Sequence, residues 1–179
     1  FHAGDQVVGS VTSGGTESIL LAVQGARDAK PVSDPVMIVP TTIHAAFNKA
    51  AHYFGVERVS VDVDPVTKRA DPAAMAAAME EHGDHVVLVA ASAPSYAHGV
   101  IDPIEAIAAE TLKRGLRFHV DACIGGWVLP WAERAGKTIE PWDFRVTGVT
   151  SLSAALHKDA YTPKGVSLLP HATPELRKQ

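Results

Sequence analysis

A histidine and a lysine, His157 and Lys158, lie side by side in a segment that could do carbonyl chemistry. They follow an apolar run at 144–149 that predicts a buried strand, and Pro163 and Gly165 close the loop behind them. A lysine held just past a strand in a largely apolar setting is a candidate imine-forming amine, because desolvation disfavours the ammonium form and only the neutral amine attacks a carbonyl. The alternative is an ordinary solvated surface charge.

Two glycines near the start of the chain, Gly14 and Gly15, lie between a predicted strand and a predicted helix, with Ser13 and Thr16 on either side. Glycines in such a turn let the backbone approach a ligand, and the unpaired amides of a helix N-terminus attract an anion. The spacing matches neither a Walker loop nor a dinucleotide-binding glycine motif. An ordinary helix cap with glycines in the turn is an equally open interpretation.

A carboxylate, Asp121, ends the apolar run at 116–120. It needs a cation or several hydrogen-bond donors, because an unpaired charge is costly to bury. A protonated ring nitrogen of a ligand would satisfy it, and the aspartate would in turn keep that nitrogen protonated. Gly125 and Gly126 would allow close backbone approach. The alternatives are a helix cap or a structural salt bridge.

Other polar residues also follow predicted strands. His44 could stack on a planar ligand or simply start a helix, and the segment 92–98, which begins with Ser92, could line a pocket. His119, inside a strand, is expected to be a hydrogen-bonded core histidine rather than a ligand. The nine histidines do not indicate a metal ion, because no spacing matches a metal site and Cys123 is the single cysteine.

Apolar runs alternate along the chain with helical patterns. The predicted strands lie at 7–11, 36–39, 56–63, 86–90, 116–120, 146–150 and 166–169. The predicted helices run from a cap at 12–17 to about residue 29 and over 42–54, 72–82 and 103–114, whereas 127–143 is predicted to be irregular. Strands that alternate with crossover helices predict an α/β domain with a mostly parallel sheet covered by helices on both faces. Ligands of such folds bind at the carboxyl ends of the strands.

Composition limits the class of protein. The 179 residues suffice for one domain, and a net charge of -4 gives no basic surface for nucleic acid. No apolar run reaches the length that spans a membrane. A single cysteine fits the reducing cytoplasm. The chain does not begin with Met, so we expect a fragment or a processed piece.

An anion site, a stacking imidazole, a buried aspartate and a loop lysine, all at strand ends, fit pyridoxal phosphate (PLP). The same residues carry a family resemblance. The chain resembles the catalytic-domain core of the PLP-dependent group II amino-acid decarboxylases, and most closely the sphingosine-1-phosphate lyases. The stretches that carry it, in family order, are 12–18 (TSGGTES), 44–55 (HAAFNKAAHYFG), 92–103 (SAPSYAHGVIDP), 119–126 (HVDACIGG) and 157–158 (HK).

The resemblance implies the large domain of the fold-type-I (aspartate aminotransferase) enzymes and a role for each site residue. Lys158 would bind the cofactor aldehyde, Asp121 would pair with the ring nitrogen, His44 would stack on the ring and Ser92 would lie near the ring face. The cofactor phosphate would be held by Gly14, Gly15, Thr16 and His157. The implied activity is cleavage of a Cα–Cβ bond in an amine-bearing substrate such as a sphingoid phosphate, or, as the alternative, decarboxylation of an amino acid.

The lysine loop departs from the family pattern. Family members usually carry an aspartate in place of Ala155, and Tyr-Gly in place of Asp159 and Ala160. A carboxylate beside Lys158 favours the ammonium form, which opposes imine formation. We therefore hypothesise that this lysine forms an imine less readily than in its relatives, unless Asp159 points to solvent.

The resemblance also implies a homodimer with an N-terminal segment and a C-terminal small domain, so residues 1–179 are predicted to be a partial PLP-binding large domain. One rival interpretation is a truncated core that folds but does no chemistry. Another is a protein that uses this sheet only as an assembly or binding surface, which predicts that Lys158 can be replaced without effect.

Overall fold

The computed structural model describes residues 1–178, in which seven strands form one sheet. The strands are β1 (Val8–Thr12), β2 (Val36–Pro40), β3 (Glu57–Val61), β4 (Val86–Ser92), β5 (Phe118–Asp121), β6 (Ser151–Ala155) and β7 (Ser167–His171). The helices are α1 (Gly15–Ala29), α2 (Ala46–Phe54), α3 (Pro72–His82), α4 (Ile104–Lys113), α5 (Gly125–Arg134) and α6 (Pro174–Arg177). Within these residues no helix has both the length and the apolar character needed to cross a membrane.

The sheet is mostly parallel, as the sequence predicts. Its strand order is β1-β7-β6-β5-β4-β2-β3. The strands β3, β2, β4, β5 and β6 run parallel to one another, whereas β7 is antiparallel to both of its neighbours, β6 and β1. The carboxyl ends of the parallel strands therefore share one edge, which is where ligands of such sheets bind.

Helices cover both faces of the sheet. On β2, Met37 and Val39 join a core cluster with residues of α1 and α2, whereas Val36 and Ile38 join a second cluster with residues of α3 and α4. This division follows from the alternation of side chains along a strand. All five residues of β2 are buried, as expected for a central strand packed on both sides.

Two helix boundaries follow the chemistry of single residues. Asp71 Oδ1 accepts hydrogen bonds from the amides of Ala73 and Ala74, and Pro72 occupies the first turn of α3. Gly55 ends α2 in the left-handed conformation, at φ 62°, which a glycine adopts without steric cost. Both ends lie where the sequence predicts them.

The strand before the lysine loop is not where the apolar run predicts it. Residues 146–150 form a loop, and the strand is the next segment, β6. Both valines of the loop are buried, and Gly148 passes so close to α4 that an added Cβ would lie 2.9 Å from the Ala108 carbonyl oxygen. The prediction was wrong because this apolar run packs as a buried loop, while the strand consists mainly of serine and alanine.

The predicted irregular segment 127–143 begins instead within a helix, α5, which contains Pro130. An added Cβ on Gly125 would lie 2.0 Å from the Ala93 carbonyl oxygen, and one on Gly126 would lie 2.9 Å from Ala154 Cβ. Two glycines thus let the start of α5 pack directly on the sheet. This tertiary packing overrides the low helix propensity that the sequence indicates.

Candidate functional site

Four elements meet around one cavity at the carboxyl edge of the sheet: the end of β5, the loop after β6, the first turn of α1 and the segment before α2. The cavity has a volume of about 220 Å³ and is lined by Gly15, Thr16, Ile19, His44, Asp121, Cys123, His157 and Lys158. Six of the eight predicted site residues therefore lie in one lining. The other two, Gly14 and Ser92, lie beside it.

The carboxylate of Asp121 is held by one oxygen only. Oδ1 accepts hydrogen bonds from the Cys123 amide at 3.1 Å and from the Ser153 hydroxyl at 3.0 Å. Within residues 1–178 no nitrogen or oxygen donor bonds to Oδ2 and Asp121 forms no salt bridge, while the Cys123 thiol also interacts with this carboxylate. Asp121 is only 7% exposed and lines the cavity, so Oδ2 is an acceptor in a largely buried setting.

Behind Asp121, His119 is buried between two serines of β6. Its Nδ1 lies 2.9 Å from Ser151 Oγ, and its Nε2 lies 3.3 Å from Ser153 Oγ. Burial lowers the pKa of His119 to about 4, an effect that the nearby Asp121 opposes and His171 reinforces. The imidazole is therefore neutral at neutral pH, and its expected role as a hydrogen-bonded core histidine is confirmed.

The first turn of α1 presents unpaired amides to the cavity. Gly14 precedes the helix at φ 155°, and no side chain caps it. The amide of Ser18 bonds back to the Gly14 carbonyl, which leaves the amides of Gly15 and Thr16 in the unpaired set of a helix N-terminus. Such amides, together with the helix dipole, attract an anion. The amide of Ser13 is already bound by the carboxylate of Glu17, one turn into the helix.

The imidazole of His157 lies beside this helix start, since an added Cβ on Gly14 would be 3.9 Å from its Cε1. Its Nδ1 lies 3.1 Å from the carbonyl oxygen of Val166. A carbonyl oxygen only accepts, so Nδ1 carries a hydrogen and Nε2 is left for the cavity. Nε2 is an acceptor in the neutral ring and a donor to an anion in the protonated ring.

The imidazole of His44 has the opposite tautomer. The Ala46 amide donates to its Nδ1 at 3.1 Å, which places the hydrogen of the neutral ring on Nε2. The ring also meets the Tyr96 ring edge-on, with the centroids 5.2 Å apart. Two contacts thus hold the orientation of this half-buried imidazole at the cavity wall.

The lysine lies at the cavity, but its surroundings differ from those predicted. Lys158 is exposed rather than set among apolar groups, and it forms neither a hydrogen bond nor an ion pair with another described residue. Asp159 is exposed as well, and the two side chains do not pair. The structure thus matches the alternative in which Asp159 points to solvent.

Ser92 is buried at the end of β4, in register with Asp121 on β5, and does not line the cavity. Its amide donates to Asp102 Oδ2 at 2.8 Å, and Oδ1 of the same carboxylate accepts from the Ala70 amide at 2.8 Å. Asp102 therefore joins the end of β4 to the segment before α3. The assignment of Ser92 to a ring face stays a prediction.

Two lining residues, Ile19 and Cys123, are not predicted by the sequence. A Cβ on Gly15 would lie 2.6 Å from Cys123 Sγ, so the thiol occupies the space that this glycine leaves open. Burial, reinforced by the charge of Asp121, raises the pKa of the thiol well above its usual value and keeps it protonated. Both residues have a signal in hindsight: Ile19 follows Gly15 by one helical turn, and Cys123 follows Asp121 by two residues.

Comparison with known proteins identifies the family to which the chain is similar. The family model of the aminotransferases of class V matches residues 4–177. The chain is 46% identical to a sphingosine-1-phosphate lyase of Dictyostelium discoideum, over 99% of this chain and 33% of that protein. It is 44% identical to a sphingosine-1-phosphate lyase of Arabidopsis thaliana, over 98% of this chain and 32% of that protein. The chain thus spans about a third of the length of these curated relatives.

Solved structures show the same fold. The sphingosine-1-phosphate lyase of Burkholderia pseudomallei has a TM-score of 0.92 at 40% identity, over 99% of this chain and 41% of that one. A glutamate decarboxylase of Lactobacillus brevis has a TM-score of 0.82 at 20% identity, over 98% of this chain and 42% of that one, and shows the fold alone. These likenesses confirm the predicted resemblance and the fold-type-I architecture. Matched over nearly its whole length by one family model, the chain belongs to the aminotransferase class-V family.

Proposed function

We propose that this chain is the cofactor-binding core of a PLP-dependent lyase that cleaves the Cα–Cβ bond of an amine-bearing substrate. The observation that carries the proposal is the meeting of three features at one cavity: unpaired helix amides, a buried carboxylate with one free oxygen and a lysine without a partner among the described residues. These features bind an anion, a cationic nitrogen and an aldehyde. PLP carries all three groups.

The phosphate of the cofactor is assigned to the start of α1. The amides of Gly15 and Thr16 are unpaired there, and Gly14 has no side chain to block approach. His157 adds a ring whose tautomer is held by Val166 and whose Nε2 is free. A phosphate on these groups receives backbone hydrogen bonds, the helix dipole and, from the protonated imidazole, one charge-assisted hydrogen bond.

The ring is assigned to Asp121 and His44. When bound, PLP supplies a pyridinium ring that takes up the electron pair of the bond broken at the substrate's Cα. Asp121 would hold the proton on the ring nitrogen through Oδ2, because its other oxygen is already bound by two donors. His44 presents an oriented imidazole at the cavity wall for stacking, and Ser92 supports the neighbouring end of β4.

Lys158 is the one amine in the cavity lining, so it is the group that binds the cofactor aldehyde. When not bound to the cofactor, its amine would lie at the same cavity to accept or return a proton. The exposed carboxylate of Asp159 does not pair with it, so the structure gives no support to an impaired lysine.

The proposed substrate is a phosphorylated long-chain amino alcohol. The support is the identity of 46% and 44% to two proteins named as sphingosine-1-phosphate lyases, compared with 20% to a glutamate decarboxylase. Cleavage between the amine-bearing carbon and the neighbouring hydroxyl-bearing carbon would release a long-chain aldehyde and a phosphorylated amine. Decarboxylation would instead require an amino acid and would release carbon dioxide.

We further propose that the active protein is a cytoplasmic homodimer, of which residues 1–179 form part of the PLP-binding large domain. Support for a second subunit comes from the lysine loop, where Tyr161, three residues after Lys158, is a large side chain that is 92% exposed. Support for the compartment comes from the single cysteine, Cys123, which is buried and not in a disulfide.

A product assay tests the proposed activity. The protein is incubated with PLP and sphingosine 1-phosphate, and separately with amino acids, while long-chain aldehyde and carbon dioxide are measured. We expect aldehyde from the wild type and from Lys164→Ala, an exposed lysine of the same loop outside the lining, and none from Lys158→Ala. Carbon dioxide from an amino acid would identify a carboxy-lyase instead, and equal aldehyde from Lys158→Ala would remove the proposed role of this lysine.

A further inference from the structure

Behind the cavity, four polar side chains form a buried chain across two strands. His119 and Asp121 of β5 stand in register with Ser151 and Ser153 of β6. The hydrogen bonds run from Ser151 to His119 at 2.9 Å, from His119 to Ser153 at 3.3 Å and from Ser153 to Asp121 at 3.0 Å. All four residues are at most 7% exposed, so no solvent contact competes strongly with these bonds.

The hydrogens of these four hydrogen-bonded side chains have one arrangement in which every bond has both a donor and an acceptor. A carboxylate only accepts, so the single hydroxyl hydrogen of Ser153 goes to Asp121 Oδ1. Ser153 Oγ must then accept from His119, which places the hydrogen of the neutral imidazole on Nε2. Nδ1 is left without a hydrogen and accepts from the Ser151 hydroxyl. In the opposite tautomer the Ser153 hydrogen would turn to His119, and Asp121 would lose a donor.

We propose that His119 is a positioning residue, whose Nε2–H holds the Ser153 hydroxyl on Asp121 Oδ1 and so keeps Asp121 Oδ2 directed to a cationic ring nitrogen. His119 lies outside the cavity lining, so it acts on the bound group through two other side chains. The identity of that group as PLP rests on the proposed function. The arrangement of the hydrogens does not depend on the proposed function.

A second acceptor near Ser153 shows why its hydroxyl needs to be held. The Cys123 thiol interacts with both Ser153 and Asp121. A serine hydroxyl rotates freely about its bond to Cβ, so without the imidazole the same hydrogen can turn towards the sulfur. A donor from His119 occupies one lone pair of Ser153 Oγ and thereby excludes the rotamer in which the hydroxyl hydrogen points at the imidazole, which leaves it available to the carboxylate.

Two amide replacements separate this role from simple packing. The amide nitrogen of glutamine can take the place of Nε2 and donate to Ser153, whereas that of asparagine reaches only the place of Nδ1, beside Ser151. A purely structural histidine would tolerate either amide in proportion to the stability that each one costs. A positioning histidine is rescued by His119→Gln and not by His119→Asn.

The first experiment measures PLP affinity and the 15N chemical shift of the PLP ring nitrogen in the loaded protein. We expect His119→Asn to weaken PLP binding about tenfold, the value of one buried hydrogen bond to a charged group, and to move the ring nitrogen towards its unprotonated shift. His119→Gln should stay within about threefold of the wild type with an unchanged shift. Asn and Gln variants that behave alike would overturn the proposal.

A double variant measures the energetic coupling between His119 and Ser153 in PLP binding. Ser153→Ala removes the group through which His119 acts, so His119→Asn should add almost no further loss of PLP affinity in that background. Additive losses in the double variant would show that the two side chains act separately, which contradicts the proposed chain.

The second experiment uses the protein without cofactor and therefore does not depend on the proposed function. The 15N and 1H resonances of the His119 imidazole report which nitrogen carries the hydrogen. The structure requires Nε2–H, and a ring protonated only on Nδ1 would overturn the inference whether or not PLP binds. A wild type that shows Nε2–H but binds no PLP would refute the proposed function and leave the hydrogen arrangement intact.

Discussion

Within strands β5 and β6 the carboxylate at the cavity is buried and held by a series of hydrogen bonds, while the lysine stands exposed in the loop that follows β6. Asp121 is backed by Ser153 and His119, all within the sheet. Lys158 has no bonding partner among the described residues, and Tyr161 of its loop is 92% exposed at φ 56°.

This difference suits two kinds of work. A group that must hold a proton on one ring atom throughout a reaction benefits from a rigid, strand-borne position. An amine that binds an aldehyde, is displaced by substrate and then returns needs room to move. In the proposed function the sheet side would fix orientation, and the loop side would allow the lysine to exchange with substrate. Substitutions on the two sides should therefore differ in the size of their effects on activity and stability.

The largest effect is expected at Asp121. Asp121→Asn keeps the shape of the side chain but removes the negative charge that holds a proton on the ring nitrogen. We expect a loss of about a thousandfold in kcat with PLP bound, equivalent to about 4 kcal/mol of transition-state free energy. Steady-state kinetics on the PLP-loaded protein measure it. A variant within tenfold of the wild type would contradict the role of the carboxylate.

The buried histidine should make folding sensitive to acid. The pKa of His119 is about 4 in the folded protein, against 6.5 ordinarily. Between these values the unfolded chain binds a proton that the folded one does not, so stability is complete above pH 6.5 and falls as the pH drops towards 4. The loss due to this residue is on the order of 3 kcal/mol.

Urea unfolding of the wild type and His119→Gln across this pH range measures that contribution. The glutamine does not titrate, so the variant should lose less stability on acidification. His171, whose pKa is also lowered to about 4, provides a matched variant, His171→Gln, with a similar reduction in acid sensitivity. Parallel pH profiles for wild type and His119→Gln would show that this imidazole is not buried as a neutral group.

The contact between Gly15 and Cys123 gives a smaller effect on stability. In Gly15→Ala the new Cβ would lie 2.6 Å from the thiol sulfur, and overpacking of this kind costs about 1–3 kcal/mol of unfolding free energy. Adding Cys123→Ala should restore most of the loss, because the sulfur is gone. Gly4→Ala, where no atom lies within 4 Å of the new Cβ, is the control. Failure of the second substitution to rescue would place the cost elsewhere.

The smallest effect is expected at Asp159. Its carboxylate is exposed and does not pair with Lys158, so Asp159→Asn should change kcat by less than about twofold, as for an unpaired surface charge. The same kinetic assay measures it beside Asp121→Asn. An increase in kcat of fivefold or more would support the hypothesis that this carboxylate impairs the lysine.

The sheet side was the more predictable from sequence. The mostly parallel sheet follows from alternating periodicities, and Asp121 follows from a charge at the end of an apolar run. The position of β6 did not follow, because its serines and alanines carry no hydrophobic signal. Those same serines form the hydrogen-bond chain to Asp121, so the missed strand and the missed support have one cause.

The loop side was less predictable from sequence. Sequence placed Lys158 and His157 together, but the exposure of a side chain depends on which segments fold over it, and this is not encoded locally. Cys123 was missed for a similar reason, since its contact with Gly15 joins residues more than a hundred positions apart.

Covalent trapping of PLP locates the amine that binds the cofactor. The protein is mixed with PLP, reduced with borohydride and digested, and the modified lysine is located by mass spectrometry. We expect modification at Lys158, its loss in Lys158→Ala and its retention in Lys164→Ala. Modification spread equally over surface lysines, or unchanged in Lys158→Ala, would show that this cavity is not the cofactor site.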